Sequence, residues 1–122
     1  AVIRPMIEYL EESGKRLDFM KMLVVGADVW QMAEYRRLKR LCGEQTRVIS
    51  SYGVTEATID STYFEMTEKH LTDEGIVPIG RPFANTQIYL LDPLQNLVPA
   101  GVPGELYLGG DGLARGYLNR PE

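Results

Sequence analysis

The sequence predicts an α/β fold, with a parallel βαβ-type (flavodoxin-like) first half followed by a β-rich second half. In the first half, segments with apolar residues at helical spacing alternate with short apolar runs rich in valine and isoleucine, a pattern typical of buried parallel strands. In the second half, short runs of alternating residues are separated by glycine and proline turns, which favours antiparallel or mixed pairing. The chain has 122 residues, of which 44% are hydrophobic, so we expect residues 1–122 to form a single subdomain.

The first helix is predicted over residues 2–12, and Gly14 marks its end. Residues 20–26 then form a short apolar run with adjacent valines, which predicts a buried parallel strand. The apolar residues of the helix recur at three- and four-residue spacing: Ile3, Met6, Ile7 and Leu10.

A second helix is predicted from Val29 to Cys42, with Asp28 as its N-cap and Gln31 completing an arrangement close to a capping box. Gly43 is expected to close this helix as a C-terminal cap. The residues expected on its buried face are Trp30, Ala33, Leu38, Leu41 and Cys42.

The segment from Arg47 to Asp60, RVISSYGVTEATID, is the centre of the sequence. It predicts a buried strand, a sharp turn at Gly53 and a helix start near Thr55 and Glu56, where an open α/β sheet binds its ligands. The segment contains the aromatic ring of Tyr52, the hydroxyl of Thr55 and the carboxylate of Glu56, and we expect these three groups to share one cleft. They suit adenine, a phosphate oxygen and Mg²⁺, although an ordinary glycine turn would have the same local pattern.

The second half predicts further strands and turns. Thr62, Phe64 and Met66 alternate with polar neighbours, which indicates a half-buried strand. The segment GGDGLARG matches neither common phosphate-loop spacing and contains no lysine, so we interpret it as a glycine-rich turn between strands. The other elements expected here are a loop at 76–81, a strand at 87–91, a turn at Asp92-Pro93 returning through Leu97 and Val98, and a last strand at 105–108.

Composition excludes several classes of function. A formal charge of −4 gives no broad basic surface for nucleic acid, and no apolar run approaches the length needed to cross a bilayer. The single cysteine, Cys42, excludes an internal disulfide and suits a reducing, cytoplasmic setting as a core thiol. The one histidine, His70, lies in a polar run and is expected to be solvated. The abrupt ends of the chain suggest an excised fragment.

Two segments resemble core motifs of the adenylate-forming enzymes. SYGVTEATID is similar to the tyrosine–glycine–proline–threonine–glutamate motif, with Val54 in place of proline, and residues 104–122, GELYLGGDGLARGYLNRPE, are similar to the next motif. The sequence GLARGY within it is most typical of the adenylation domains of nonribosomal peptide synthetases. The resemblance implies a fragment of a larger adenylate-forming domain that makes aminoacyl-AMP from ATP and an amino acid. It also implies loading of that product onto the phosphopantetheine of a peptidyl carrier protein.

The resemblance also implies a nucleotide site. Tyr52 would pack its ring on adenine, and Ser50 stands where an asparagine usually bonds the adenine edge. Thr55 would bind the α-phosphate and Glu56 would coordinate Mg²⁺, which makes these two the implied catalytic residues. On the other face of adenine, the implied contact is the backbone of Gly26, Ala27 and Asp28, which resemble a glycine–glycine–glutamate stretch.

Part of an amino-acid pocket is implied as well. A carboxylate such as that of Asp60 in a pocket would need a cationic partner, which points to ornithine, lysine or arginine as substrate. The alternative is that Asp60 bonds a nearby backbone N–H or water. The residues that fall on pocket positions are Val24, Gly26, Ser51, Ile59 and Asp60.

Other parts of the family's site lie outside this sequence, including a phosphate-binding loop and a catalytic lysine. We therefore expect the isolated fragment to be inactive, and its partners to include the remaining subdomains and the neighbouring synthetase modules, with no nucleic acid or membrane. Two alternatives are a fragment of another adenylate-forming ligase of the acyl-CoA ligase type and an isolated, non-catalytic specificity subdomain.

Overall fold

The computed structural model describes residues 2–26, 28–66 and 74–120. His70 and Ala27, for which the sequence made predictions, lie outside these ranges. In chain order, the described elements are α1 (Ile3–Ser13), β1 (Met22–Val25), α2 (Met32–Leu41), β2 (Arg47–Tyr52), a 3₁₀ turn (Thr55–Ala57), β3 (Thr62–Glu65), β4 (Arg81–Pro82), β5 (Thr86–Leu91) and β6 (Glu105–Gly110).

The predicted fold class is confirmed. Strands β1 and β2 pair in parallel across the α2 connection, whereas β3 and β4 extend the same sheet by antiparallel pairing, in the order β1-β2-β3-β4. Strands β5 and β6 form a separate antiparallel pair. The predicted hairpin return is present as a bridge between Leu91 and Leu97, and the carboxylate of Asp92 accepts the backbone N–H groups of Leu94 and Asn96 in the turn.

Both helices pack on one face of the four-stranded sheet. Ion pairs join them at the surface, between Arg4 and Glu34 and between Arg37 and Glu11. Gly14 ends α1 in the left-handed conformation, as expected. Among the described residues, neither helix has the length and apolar character that a bilayer-crossing segment requires. The buried core cluster consists of Ile7, Trp30, Met32, Tyr35, Leu38, Cys42, Val48, Phe64 and Val77.

Tyr35 connects the helical layer to the sheet. Its side chain is 1% exposed, and its ring packs against Trp30 and Phe64 at centroid distances of 5.2 and 5.7 Å. Its hydroxyl donates to the carbonyl of Val48 on β2. It also accepts the backbone N–H of Met66, the residue that follows β3, at 3.1 Å. One side chain therefore fixes the position of α2 against two neighbouring strands.

The prediction for the start of α2 is wrong. The helix begins at Met32 with Gln31 as its N-cap, and Gln31 forms a reciprocal capping box with Glu34. Residues before this point stay extended because Trp30 accepts the backbone N–H of Val77 at 2.9 Å, and Gln31 forms an antiparallel bridge with Ile76. Asp28, the expected N-cap, instead accepts the N–H of Val29.

The buried face and the end of α2 also differ from expectation. Ala33 is exposed, and Met32 and Tyr35 are buried instead, because the later start places these two on the core side. Gly43 is not the cap, since the helix ends at Cys42 in an extended conformation. Arg16 replaces a glycine cap by donating to the carbonyl oxygens of Arg40 and Cys42.

Replacing Tyr35 by phenylalanine should lower the free energy of unfolding by about 1 to 3 kcal/mol, because the change leaves a buried carbonyl and a buried N–H without a partner. Urea unfolding followed by circular dichroism measures this loss. Tyr9→Phe is the matched control, since Tyr9 is 54% exposed on α1. Equal stability of the two variants would contradict the role of the Tyr35 hydroxyl in holding α2 against the sheet.

Cys42 should react slowly with a thiol reagent in the folded chain. It is 4% exposed, and burial raises the pKa of its thiol, so little thiolate is available at pH 8. We expect labelling by Ellman's reagent to become fast only in urea, at the concentration where the chain unfolds. Fast labelling in native buffer would show that the Cys42 side of α2 is open.

Candidate functional site

The candidate site lies where β1 and β2 end. These parallel strands end at the same edge of the sheet, because Val25 pairs with Ser50. Gly26 and Asp28 follow β1 there, and the turn at Gly53 follows β2. This edge is the usual ligand-binding position in open α/β sheets.

The chain after β2 folds back directly over Gly53. A Cβ atom at this position would lie 1.9 Å from the carbonyl oxygen of Ile59, so only glycine fits. The backbone N–H of Ser61 then donates to the carbonyl of Tyr52 at 2.8 Å and closes the loop. The glycine turn predicted from the sequence is present, but it leads into a single 3₁₀ turn rather than a longer helix.

Two residues of this loop have unusual backbone conformations. Thr58 and Ile59 have φ angles of 56° and 70°, a region that β-branched residues rarely occupy. The hydroxyl of Thr58 donates to the carbonyl of Gly112 at 2.6 Å, and the N–H of Ile59 donates to Val54 at 3.2 Å. Long-range contacts therefore hold a strained segment that carries Ile59, 73% exposed, and the adjacent carboxylate of Asp60.

Three residues predicted to contact adenine, Asp28, Ser50 and Tyr52, line one groove, whereas Gly26 does not. This groove has a volume of about 370 Å³. Ser50 is buried, and its hydroxyl oxygen accepts the indole N–H of Trp30 at 3.0 Å, which leaves the hydroxyl proton available to donate. The groove is lined by Asp28, Val29, Trp30, Ser50, Ser51, Tyr52, Gly53 and residues 76–79.

The residues predicted for the amino-acid pocket meet beside this groove. A Cβ atom on Gly26 would lie 2.7 Å from the hydroxyl of Ser51 and 3.8 Å from a carboxylate oxygen of Asp60. Successive strand residues point to opposite faces, so Ser51 lies on the face away from the helices, whereas Ser50 faces them. Val24 is 51% exposed and pairs with Ile49, which places it on the same face as Ser51.

The carboxylate of Asp60 is exposed on this second face. Within residues 2–26, 28–66 and 74–120 it forms no hydrogen bond or ion pair with another side chain or backbone group. No backbone N–H in the described part of the chain therefore binds the carboxylate of Asp60, as the alternative interpretation would require.

Thr55 and Glu56 do not line the groove that contains Tyr52. The 3₁₀ turn that carries them contacts the segment after β6 instead. The N–H of Ala114 donates to the carbonyl of Glu56 at 2.7 Å, and the hydroxyl of Tyr117 donates to the Glu56 carboxylate at 2.9 Å. The single cleft expected for the ring, the hydroxyl and the acid is therefore not formed by the described residues alone.

Sequence reasoning missed this role of the glycine-rich segment. It was expected to turn between strands, but it follows β6, the last strand of the described chain, and packs on the 3₁₀ turn. Glu56 and Tyr117 are 61 residues apart, so no local pattern could have paired them. The resemblance placed both residues in motifs of one family but did not show that they touch.

Glu56 has the chemistry that a magnesium site requires. Its carboxylate is exposed, and hydrogen bonds from its own backbone N–H and from Tyr117 hold the pKa of this carboxyl below its usual range. The described residues contain no cluster of three or more candidate metal-binding side chains. A single carboxylate still fits Mg²⁺, which commonly binds one or two carboxylates together with phosphate oxygens and water.

Known proteins similar to this chain share both its sequence and its fold. Bacitracin synthase 2 of Bacillus licheniformis is 45% identical over all 122 residues, and tyrocidine synthase 3 of Brevibacillus parabrevis is 46% identical over the same length. The chain spans only 5% and 2% of these two proteins. The AMPPNP-bound crystal structure of the nonribosomal peptide synthetase FmoA3 is 27% identical, with a TM-score of 0.86 over 98% of this chain and 13% of that one.

The family model described as AMP-binding enzyme matches residues 1–118, nearly the whole chain. This match agrees with the two motifs and with the α/β fold. The chain belongs to the AMP-binding enzyme family and is related to the nonribosomal peptide synthetases.

Proposed function

We propose that this chain is the central subdomain of an adenylation domain that activates a basic amino acid with ATP, for transfer to a carrier protein. One observation carries the proposal. At a single edge of the sheet, Ser50 and Tyr52 line a groove on the helical side, while Gly26, Asp60 and the hydroxyl of Ser51 meet on the opposite face. A nucleotide and an amino acid could therefore approach each other at the ends of β1 and β2.

The groove at Tyr52 is proposed to bind adenine. A tyrosine ring offers a stacking surface, and the hydroxyl of Ser50 still has a proton to donate although Trp30 occupies one of its lone pairs. Asp28 lines the same groove, which agrees with its proposed position on the other side of the base. Gly26 precedes it, and Ala27 lies outside the described residues.

Thr55 and Glu56 are proposed to act on the phosphates. Thr55 is exposed on the 3₁₀ turn and would donate its hydroxyl to the α-phosphate, while Glu56 would bind Mg²⁺. The metal would supply charge neutralisation of the phosphates, and the protein would supply positioning. Hydrogen bonds from Ala114 and Tyr117 hold the backbone and the carboxylate of Glu56 before any ligand binds.

The proposal for a basic substrate rests on Asp60. A carboxylate that no described residue neutralises would become costly to bury when a pocket closes around it, unless a cation enters with it. Ornithine, lysine and arginine supply that cation. A fatty acyl substrate of the acyl-CoA ligase type would leave this carboxylate without a partner.

The remaining walls of the pocket are proposed to come from other parts of a longer protein. Val24 and Ile59 are 51% and 73% exposed on the pocket face, although apolar pocket residues are normally covered. We propose that the other subdomains of the adenylation domain cover them. A peptidyl carrier protein bearing phosphopantetheine would receive the activated amino acid, and neighbouring synthetase modules would use it.

The substrate proposal is tested with the intact adenylation domain that contains this chain. ATP–pyrophosphate exchange should be highest with a basic amino acid, and Asp60→Asn should reduce exchange with that substrate by about tenfold or more, because one charge pair is lost. Neutral amino acids should be affected little. Glu12→Gln, a change on the exposed side of α1, is the control. An unchanged preference in Asp60→Asn would sink the assignment of a basic substrate.

The chain of residues 1–122 alone should give no ATP–pyrophosphate exchange, since it offers only one wall of each proposed site. Its Glu56→Ala variant supplies the baseline for this measurement. Exchange by the unmodified chain above that baseline would contradict the proposal that further subdomains are required. A non-catalytic specificity subdomain would also show no exchange. The assay on the intact domain therefore decides between this alternative and the proposed function.

A further inference from the structure

We propose that Tyr117 is a positioning residue that holds the Glu56 carboxylate in the orientation in which it binds the magnesium ion. This inference rests on the proposed function and deepens it by adding a residue that touches neither nucleotide nor substrate. The phenolic hydroxyl of Tyr117 donates to one carboxylate oxygen of Glu56 at 2.9 Å, across 61 residues of chain.

The contact is part of a wider attachment between two segments. We call residues 110–117 the latch segment. The hydroxyl of Thr58 donates to Gly112 of the latch segment at 2.6 Å, and the N–H of Ala114 donates to the carbonyl of Glu56 at 2.7 Å. The latch segment therefore holds the 3₁₀ turn at the carbonyl of Glu56 and at the side chain of Thr58, and Tyr117 holds the Glu56 carboxylate.

Glu56 depends on such support. It stands on a 3₁₀ turn of three residues, Thr55–Ala57, and its side chain is exposed, so packing does not restrict its rotamers. A carboxylate has about four lone-pair sites, and the hydrogen bonds from its own N–H and from Tyr117 use two of them. The remaining lone pairs are free for a cation. A hydrogen-bond donor on a metal-binding carboxylate commonly orients it in this way.

Tyr107 provides a natural comparison on the same chain. Its hydroxyl donates to Glu105 at 3.2 Å, which is also an exposed tyrosine–glutamate pair. That pair joins residues two positions apart on β6 and lies outside the candidate site. Removing either hydroxyl keeps the ring and takes a hydrogen-bond donor from an exposed glutamate, and at Tyr107 it also removes a hydrogen bond with Gln95.

The test uses the intact adenylation domain, with Mn²⁺ as the metal and AMPPNP as a nucleotide that cannot react. Free Mn²⁺ is counted by electron paramagnetic resonance during titration, which measures metal affinity without any turnover. Tyr117→Phe should raise the Kd for Mn²⁺ by about tenfold, in the range found when an outer-shell partner is removed. Tyr107→Phe should leave this Kd unchanged. The urea midpoint of Tyr117→Phe should not fall below that of Tyr107→Phe, because Tyr117→Phe loses one exposed hydrogen bond and Tyr107→Phe loses two.

A double-mutant cycle separates positioning from a general structural effect. In a Glu56→Gln background, adding Tyr117→Phe should change metal affinity no further, because the group that Tyr117 orients is already altered. A loss that adds to that of Glu56→Gln would show that Tyr117 acts by another route and would overturn the inference. So would a Kd for Tyr117→Phe equal to that of Tyr107→Phe.

Exchange assays give an independent readout. At low Mg²⁺ the Tyr117→Phe domain should exchange slowly, and excess Mg²⁺ should restore the rate, while the KM for the amino acid stays unchanged. Failure of the unmodified domain to bind Mn²⁺ with AMPPNP would overturn the proposed function, and this inference with it. Normal binding by the unmodified domain with no difference between the two tyrosine variants would overturn the inference alone.

Discussion

The close crossing of the backbone at Gly53 is the constraint on which the candidate site depends. The carbonyl of Ile59 occupies the space that a side chain at position 53 would need, and the N–H of Ser61 bonds Tyr52 just beyond it. This crossing returns the chain to the strand end within a few residues. It places the ring of Tyr52 and the carboxylate of Asp60 on neighbouring parts of one edge, although they leave the sheet on different faces.

A loop this tight stores unfavourable conformations, and distant segments stabilise it. Ile59 has a φ angle of 70°, which its β-branched side chain does not favour. Gly112 in the latch segment accepts the hydroxyl of Thr58, so a segment more than fifty residues away helps to hold the loop. The two motifs that identified the family in the sequence are thus one physical unit, joined by hydrogen bonds across the chain. The geometry of the 3₁₀ turn at Glu56 is as much a property of the second motif as of the first.

The helical layer and the core support this edge of the sheet. The hydroxyl of Tyr35 bonds the backbone of β2 at Val48 and the backbone of Met66 just after β3. These two bonds fix the position of α2 against both strands. Trp30 extends the same layer towards the edge, where its indole N–H bonds Ser50. The proposed adenine groove is therefore a continuation of the hydrophobic core, with one wall supplied by core residues. On the opposite face Ile49 and Ser51 are buried, whereas Val24 and Ile59 remain exposed.

The sequence by itself determined the elements whose signal is local. The valine run correctly predicted β1, the alternation at Phe64 predicted β3, and the glycine predicted the end of α1. The prediction that β1 is buried was wrong, because β1 is an edge strand and its residues alternate between exposed and half-buried. The family motifs identified the chain. Tertiary structure alone decided the start of α2, because Trp30 pairs its backbone with Val77 rather than continuing a helix. It also decided the partner of Glu56, because the hydrogen bond from Tyr117 depends on how two remote segments pack, and a pattern read along the chain contains no distance between them.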